Sequence, residues 1–500
     1  MGVPCYAPRM TFRLARTFLA LLLFATFAPA HAQTADDCAN CYTEQEARED
    51  LETLYARLQQ EHVNLFARRS KAEYDAHLQE LLARIDGPVP RADFHLMLQD
   101  AMAFGNIGHS KTEAALADVF AHIGIGGKII PISIVYRGER MITDNWTGEG
   151  AALPPGSRIA ALGGIAVAEF ESRARKIVSA DNLRLLRSQV EMGMPAYLYL
   201  IFGPVDGLMV DYIAPNGKPG SHRVAAVTIG DMYALQGARA LPRPDRKAGA
   251  RIHRDLGDGV FYLQPGPFSA TESERGEDGE AYAIEPFRAF VSEAFAAMAE
   301  SGAQDLIIDL RDNGGGDASF SDLIIARLVD APYRYASRYE VRAGPNTKAV
   351  WADRPGDPDT IAGRLAAAVA DAEEGDLVSI ELPETQPIAD NAFGGRVWVL
   401  VNRHSYSNAA VIAALMQDLG IATIMGEETA DVPTTYGAVE SFSLPHSGAS
   451  IIYPKAYMVR PSGSEEARGV VPEFVIAPNP VGQSKDLMLE TAVRQVLLSR

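Results

Sequence analysis

Three cysteines in 500 residues exclude a scaffold built on disulfides. Two of them, Cys38 and Cys41, form a C-x-x-C. No strand before it and no helix after it is legible, so a thioredoxin-like redox motif is not indicated. The further ligands that a metal site needs are missing as well. A local staple or two idle thiols remain. Basic residues are also scarce: 46 Lys and Arg stand against 64 Asp and Glu, a formal net charge of −18 with no cationic cluster. Such a surface repels polyanions, which excludes nucleic acid and anionic membranes as partners. Past the first thirty residues no apolar run approaches the ~18 needed to cross a bilayer. Internal repeats and low-complexity segments are absent.

The N-terminus is a different matter. Arg9, Arg13 and Arg16 precede the apolar run from Thr17 to Ala28, and Ala30-His31-Ala32 follows as a small-x-small cleavage site. This pattern predicts a signal peptide over residues 1–32 and a mature chain from Gln33, exported to a periplasmic or extracellular compartment. Its removal takes away three Arg and no acid, so the net charge becomes −21.

Residues 33–122 read as a helical region, with Leu51, Leu54 and Leu58 at helical spacing and a break at Gly105 to Ser110. Residues 123–240 read as β-rich. Ile129 to Tyr136, Arg140 to Ile142, Arg158 to Leu162, Tyr197 to Phe202 and Leu208 to Ile213 are the expected strands, and Ala166 to Val178 a helix. Leu241 to Ala250 is Pro-rich and charged, the expected linker. Residues 251–500 alternate strands and helices, as in an α/β core. Leu306 to Leu310 and Arg396 to Asn402 are continuous apolar runs of the kind found in buried strands.

Two of these strands end in residues that can carry chemistry. After the second, a helix opens at Ser407-Asn408, where backbone N–H groups favour a developing negative charge. In this stretch taken alone, Ser407 reads first as a helix N-cap, since Ser is a preferred cap. After the first comes Asp309-Leu-Arg-Asp-Asn-Gly314-Gly315-Gly316. Consecutive glycines let N–H groups face a ligand, as in an oxyanion hole, though glycine triplets also make ordinary turns.

Together, the D-L-R-x-N-G-G-G stretch and the S-x-S stretch ~90 residues later resemble the tricorn and C-terminal-processing (tail-specific) serine peptidases. Gly426-Glu-Glu-Thr429 is similar to that family's G-E-x-T. Glu466-Ala-Arg-Gly469-Val-Val-Pro-Glu473 is similar to its E-x-x-G-V-x-P-D, with Glu473 in place of Asp. The resemblance spans roughly residues 256–478. It implies a crotonase-like (ClpP-like) core with a PDZ-like β-rich domain and a helical N-terminal region. It also implies peptide-bond hydrolysis through an acyl-enzyme, on a peptide or protein substrate, with no metal or cofactor.

The processing branch of the family uses a Ser–Lys dyad. The turn Ala430 to Thr435 carries no Lys, and Lys455 reads as a solvated strand residue. The tricorn-like branch uses Ser, His and Glu. The resemblance then implies Ser407 as nucleophile, His109 of Gly108-His-Ser110 as base and Glu466 as the group orienting the imidazole, with Glu465 as competitor. His404 is the rival base. Gly315 and Asn408 are the expected oxyanion donors, and Gly314 and Gly316 are expected to bind substrate. The stretch from Leu153 to Gly164 is similar to a PDZ motif, with Ser157 and Gly163 replacing the usual Asp and Asn. A non-catalytic binding protein on this fold, for a peptide or a hydrophobic ligand, is the alternative. An acyl-CoA enzyme of crotonase type ranks behind it.

Overall fold

The computed structural model describes residues 38, 40–144, 153–239, 241–275, 282–352, 354 and 356–500. The predicted signal peptide lies outside the described residues. Among them, no helix is long and apolar enough to cross a membrane. Cys38 and Cys41 are disulfide-bonded.

The architecture is mixed α/β. Four helices come first, Glu44–Glu61, Lys71–Leu82, Arg91–Ala103 and Ala114–Gly124. The first two begin with complete capping boxes, Thr43 with Glu46 and Ser70 with Glu73. A β-rich unit follows. Its sheet runs in the order Ile134–Arg137, Arg140–Thr143, Arg158–Leu162, Gly207–Ile213, Pro219–Ala225, with Ile165–Ala166 beside the third strand.

One sequence expectation fails in this unit. Tyr197 to Phe202 is not a strand but the last part of the helix Leu183–Phe202. A short apolar run fits either state. What decides is the preceding segment: Asn182 caps the helix, and Leu185, Leu186, Val190, Met194, Tyr197 and Leu198 are buried at helical spacing. Pro195 is accommodated because Gly193 leaves helical geometry just before it. Ile129 also lies outside the first strand and forms only an isolated bridge to Val227. The expected linker is tied down: Arg246 donates to the Arg311 carbonyl at 3.0 Å, and Gln264 donates to the carbonyls of Lys247 and Ala250.

Two sheets build the last half. The first runs Ile252–Asp255, Val260–Gln264, Asp305–Asp309, Arg396–Val401, Ala422–Gly426, Phe474–Val475, parallel from the second strand onward. Every residue of Asp305–Asp309 is buried, which explains its unbroken apolar centre. The second runs Leu377–Ser379, Arg338–Arg342, Ser450–Val459, Thr435–Ser443. The two-residue strand Lys111–Thr112 adds to it, with Thr112 opposite Ile451 and Lys111 opposite Ile452. That pairing anchors the helical region to the second half of the chain directly after His109.

Candidate active site

The strand Arg396–Val401 delivers the chain into the turn Asn402 to Tyr406, and the helix Asn408–Asp418 begins at once. Ser407 is the cap residue of that helix, with φ 53° and ψ −128°. A side-chain-bearing residue in this region stores on the order of 1–3 kcal/mol of strain, held only where surrounding bonds enforce it. Those bonds are present. Asn402 Oδ1 accepts from the Asp312 and His404 amides, Ser405 Oγ donates to the Leu310 carbonyl, and the Tyr406 amide donates to the Asn313 carbonyl. Ser407 N–H donates to Asp431 Oδ2 at 2.5 Å.

His109 reaches this turn from the N-terminal region. Its Nε2 stands 3.2 Å from Ser407 Oγ, across 298 residues of sequence. The imidazole stacks on Tyr406, with centroids 5.0 Å apart, and the Tyr406 hydroxyl donates to the Gly108 carbonyl at 3.2 Å. Gly108 N–H donates to Asp181 Oδ2 at 2.8 Å. A Cβ at 108 would lie 2.7 Å from that same oxygen and 2.8 Å from Leu185 Cδ2, so those side chains would have to shift to admit one. Burial, and then the charge of Lys111, depress the His109 pKa to about 4. The ring is therefore neutral near pH 7, the state in which it can take a proton from a hydroxyl.

The other expected groups are distributed differently. Glu466 is exposed on the segment after Ser450–Val459 and makes no hydrogen bond to His109, whose Nδ1 is buried without a partner among the described residues. Glu465 instead accepts from Tyr457 at 2.9 Å and pairs with Arg338 at 3.0 Å. His404 faces away from Ser407: Nδ1 meets Ser188 Oγ at 2.7 Å, and Nε2 lies 3.0 Å from Glu191. Lys455 corrects an expectation. It is buried, not solvated, and pairs with Glu440 at 2.9 Å.

The glycine loop is held by Arg311, whose guanidinium bonds both Asp309 and Asp486. Burial would raise the Asp486 carboxyl, but its bonds to Arg311 bring it down to about 2. Of the two expected oxyanion donors only one is available. Gly315 N–H already donates to Asn313 Oδ1 at 2.9 Å. Asn408 N–H has no acceptor among the described residues. Gly315 matters through its missing side chain: φ is +87°, and a Cβ would lie 2.7 Å from Asn408 N and 2.8 Å from Ser407 Cβ. Gly316 is bridged to Phe268, and a Cβ there would strike the Phe268 carbonyl, so glycine allows the two backbones to approach this closely. Gly314 is exposed with open space beside it.

Sequence reading missed Asp431 and Asp181. The turn from Ala430 to Thr435 carries a single acid, Asp431, and that is the one signal the sequence holds for it. Asp431 is fully buried, and burial, then the nearby Asp181, push its pKa up to about 7. No group of metal-ligating residues occurs among the described residues.

Residues 282–476 match the model of peptidase family S41. None of the curated proteins matches the chain. Among solved structures, mature CPAF complexed with lactacystin is similar over 91% of this chain and 98% of its own, with a TM-score of 0.63 at 15% identity. A mutant of CPAF is similar over 91% and 97%, with a TM-score of 0.64 at 13% identity. At these identities the likeness concerns the fold.

Proposed function

We propose, from the premise that this chain belongs to peptidase family S41 and is a serine peptidase, that it is an exported endopeptidase acting through Ser407 and His109. The observation that carries the reading is the 3.2 Å approach of His109 Nε2 to the hydroxyl of a serine in a strained helix-cap conformation. In the proposed reaction Ser407 Oγ attacks the scissile carbonyl carbon while His109 Nε2 takes the hydroxyl proton. The carbonyl oxygen becomes an oxyanion beside Asn408 N–H, at the positive end of the helix Asn408–Asp418. The C–N bond breaks, the imidazolium returns the proton to the leaving amine, and an acyl-Ser407 ester remains. Water activated by the same imidazole releases the acid. The parallel sheet with its helices supports the crotonase-like assignment, and the sheet of residues 134–225 supports a PDZ-like one. Export rests on the pattern in residues 1–32.

The proposed pair works without Glu466 in the geometry described. The unpartnered Nδ1 of His109 favours a second reading, a binding protein on the same fold, because no carboxylate stabilises the imidazolium. Hydrolysis of a fluorogenic peptide library separates the two. His109→Ala is expected to lower kcat/KM by about 10²–10⁴-fold with unchanged folding. Wild-type turnover in that variant would remove His109 from the mechanism.

A further inference from the structure

A cleft of about 710 Å³ opens between the N-terminal helices and the end of the helix Val167–Ala174. In a chain with a formal charge of −18, this cleft gathers five cations: Arg68, Arg69, Arg84, Arg175 and Lys176. Its acids are largely engaged. Asp181 pairs with Arg68 at 2.8 Å, Asp100 with Arg84 at 3.3 Å, and Glu80 lies 3.7 Å from His77. Arg175 and Lys176 have no ion-pair partner among the described residues. Along the same wall, Arg68 Nε and Arg69 Nε are buried with no hydrogen-bond acceptor among the described residues, while His77 Nε2 stands 3.6 Å from Asp100 and the Arg69 guanidinium pairs with Glu73 at 3.1 Å. A buried donor without an acceptor is costly and calls for a missing partner. Two on one cleft wall, beside two cations with no ion-pair partner among the described residues, point to an anionic oxygen ligand.

The floor of this cleft reaches the residue next to the proposed catalytic base. Asp181 Oδ1 accepts from Arg68, and its Oδ2 accepts from Gly108 N–H, one residue before His109. An anion that takes up Arg68 leaves a buried carboxylate without its counter-ion directly under the His109 loop.

We propose that the cleft binds an oxyanion, carboxylate or phosphate, through Arg68, Arg69, Arg175 and Lys176, and that occupancy restrains His109 through Asp181 and Gly108. The coupling rests on the catalytic reading of His109; the binding does not. Linkage makes the effect mutual: anion binding weakens productive peptide binding, and peptide binding weakens the anion.

Calorimetric titration of the full chain tests the site with two probes, inorganic phosphate and a triglutamate peptide, against chloride at constant ionic strength. Saturable binding of at least one probe is expected. Phosphate alone identifies a free anion as ligand; the peptide identifies polypeptide carboxylates. The double variant Arg175→Ala, Lys176→Ala leaves the catalytic groups in place and is expected to bind at least ~10-fold more weakly. In parallel, the bound probe should lower hydrolysis of a neutral fluorogenic peptide by about 5-fold or more in wild type only. Binding of neither probe, equal binding by the double variant, or hydrolysis indifferent to the probe overturns the proposal. Calorimetry does not depend on turnover, so an inactive protein that binds phosphate would count against the peptidase reading alone.

Discussion

Replacing Asp431 by Asn should change how stability depends on pH, in a direction fixed by the burial of this side chain. Asp431 is 1% exposed, accepts the amides of Ser407 and Val432, and faces the second buried carboxylate, Asp181, which is itself paired with Arg68. Its pKa rises from 3.8 to about 7 on folding. A folded-state pKa above the unfolded value means the native state holds the proton longer. The associated stability is complete below about pH 4 and is lost as pH rises through about 7. Three pKa units at 1.36 kcal/mol each amount to about 4 kcal/mol, of which about 3 kcal/mol accrues between pH 5 and pH 8.5. Asn cannot ionise, so this loss disappears in the variant. The variant also gives up one acceptor, at about 1 kcal/mol, independently of pH. Urea unfolding of both proteins at pH 5 and pH 8.5 reads the difference, and titrating groups that do not interact with Asp431 cancel in the comparison; Asp181, which does interact, is relieved of the repulsion in the variant. The variant should gain about 3 kcal/mol on wild type between the two pH values. Parallel stability curves would show that Asp431 is already ionised and balanced in the native state, and the electrostatic account of this turn would be wrong.

Three further outcomes follow from the site. Because His109 is held to a pKa of about 4, the acid limb of kcat/KM should fall near pH 4; Lys111→Gln removes a repelling charge and should move that limb upward, and a limb near 6.5 would refute the burial argument. Gly315→Ala puts a methyl group 2.7 Å from Asn408 N at a φ of +87°, so the loop must shift: stability should fall, and kcat/KM of the folded variant should drop by about 10²-fold or more; a fully active variant would relocate the oxyanion. Glu466→Gln removes a group that is exposed and does not bond His109, so activity should stay within about two-fold of wild type; a loss near 10²-fold would mean that its segment closes on the imidazole in the working enzyme.

The parts of the site that rest on local pattern were legible in the sequence. The buried strand, the turn and the helix start framed Ser407, and the break after the third helix framed His109, but only the resemblance to the tail-specific peptidases singled either out. The strand pairing that unites them was not legible. Lys111–Thr112 is two residues long and joins a strand about 340 positions away, so no periodicity reports it. The helix Leu183–Phe202 was half lost because its apolar end satisfies both periods, and only tertiary burial chooses between them. Lys455 reads as solvated from sequence because its partner, Glu440, lies on the neighbouring strand of a hairpin whose register the sequence does not declare. Asp431 and Asp181 escaped for a related reason. Each is a lone acid in a turn, and their importance lies in which amide they meet.

Ser407 is the proposed nucleophile and His109 its base. Intact-mass analysis after treatment with a fluorophosphonate tests this assignment most directly. One adduct per wild-type chain is expected on the peptide containing Ser407, with much slower labelling of His109→Ala and none on Ser407→Ala. An adduct of equal stoichiometry on Ser407→Ala would contradict it.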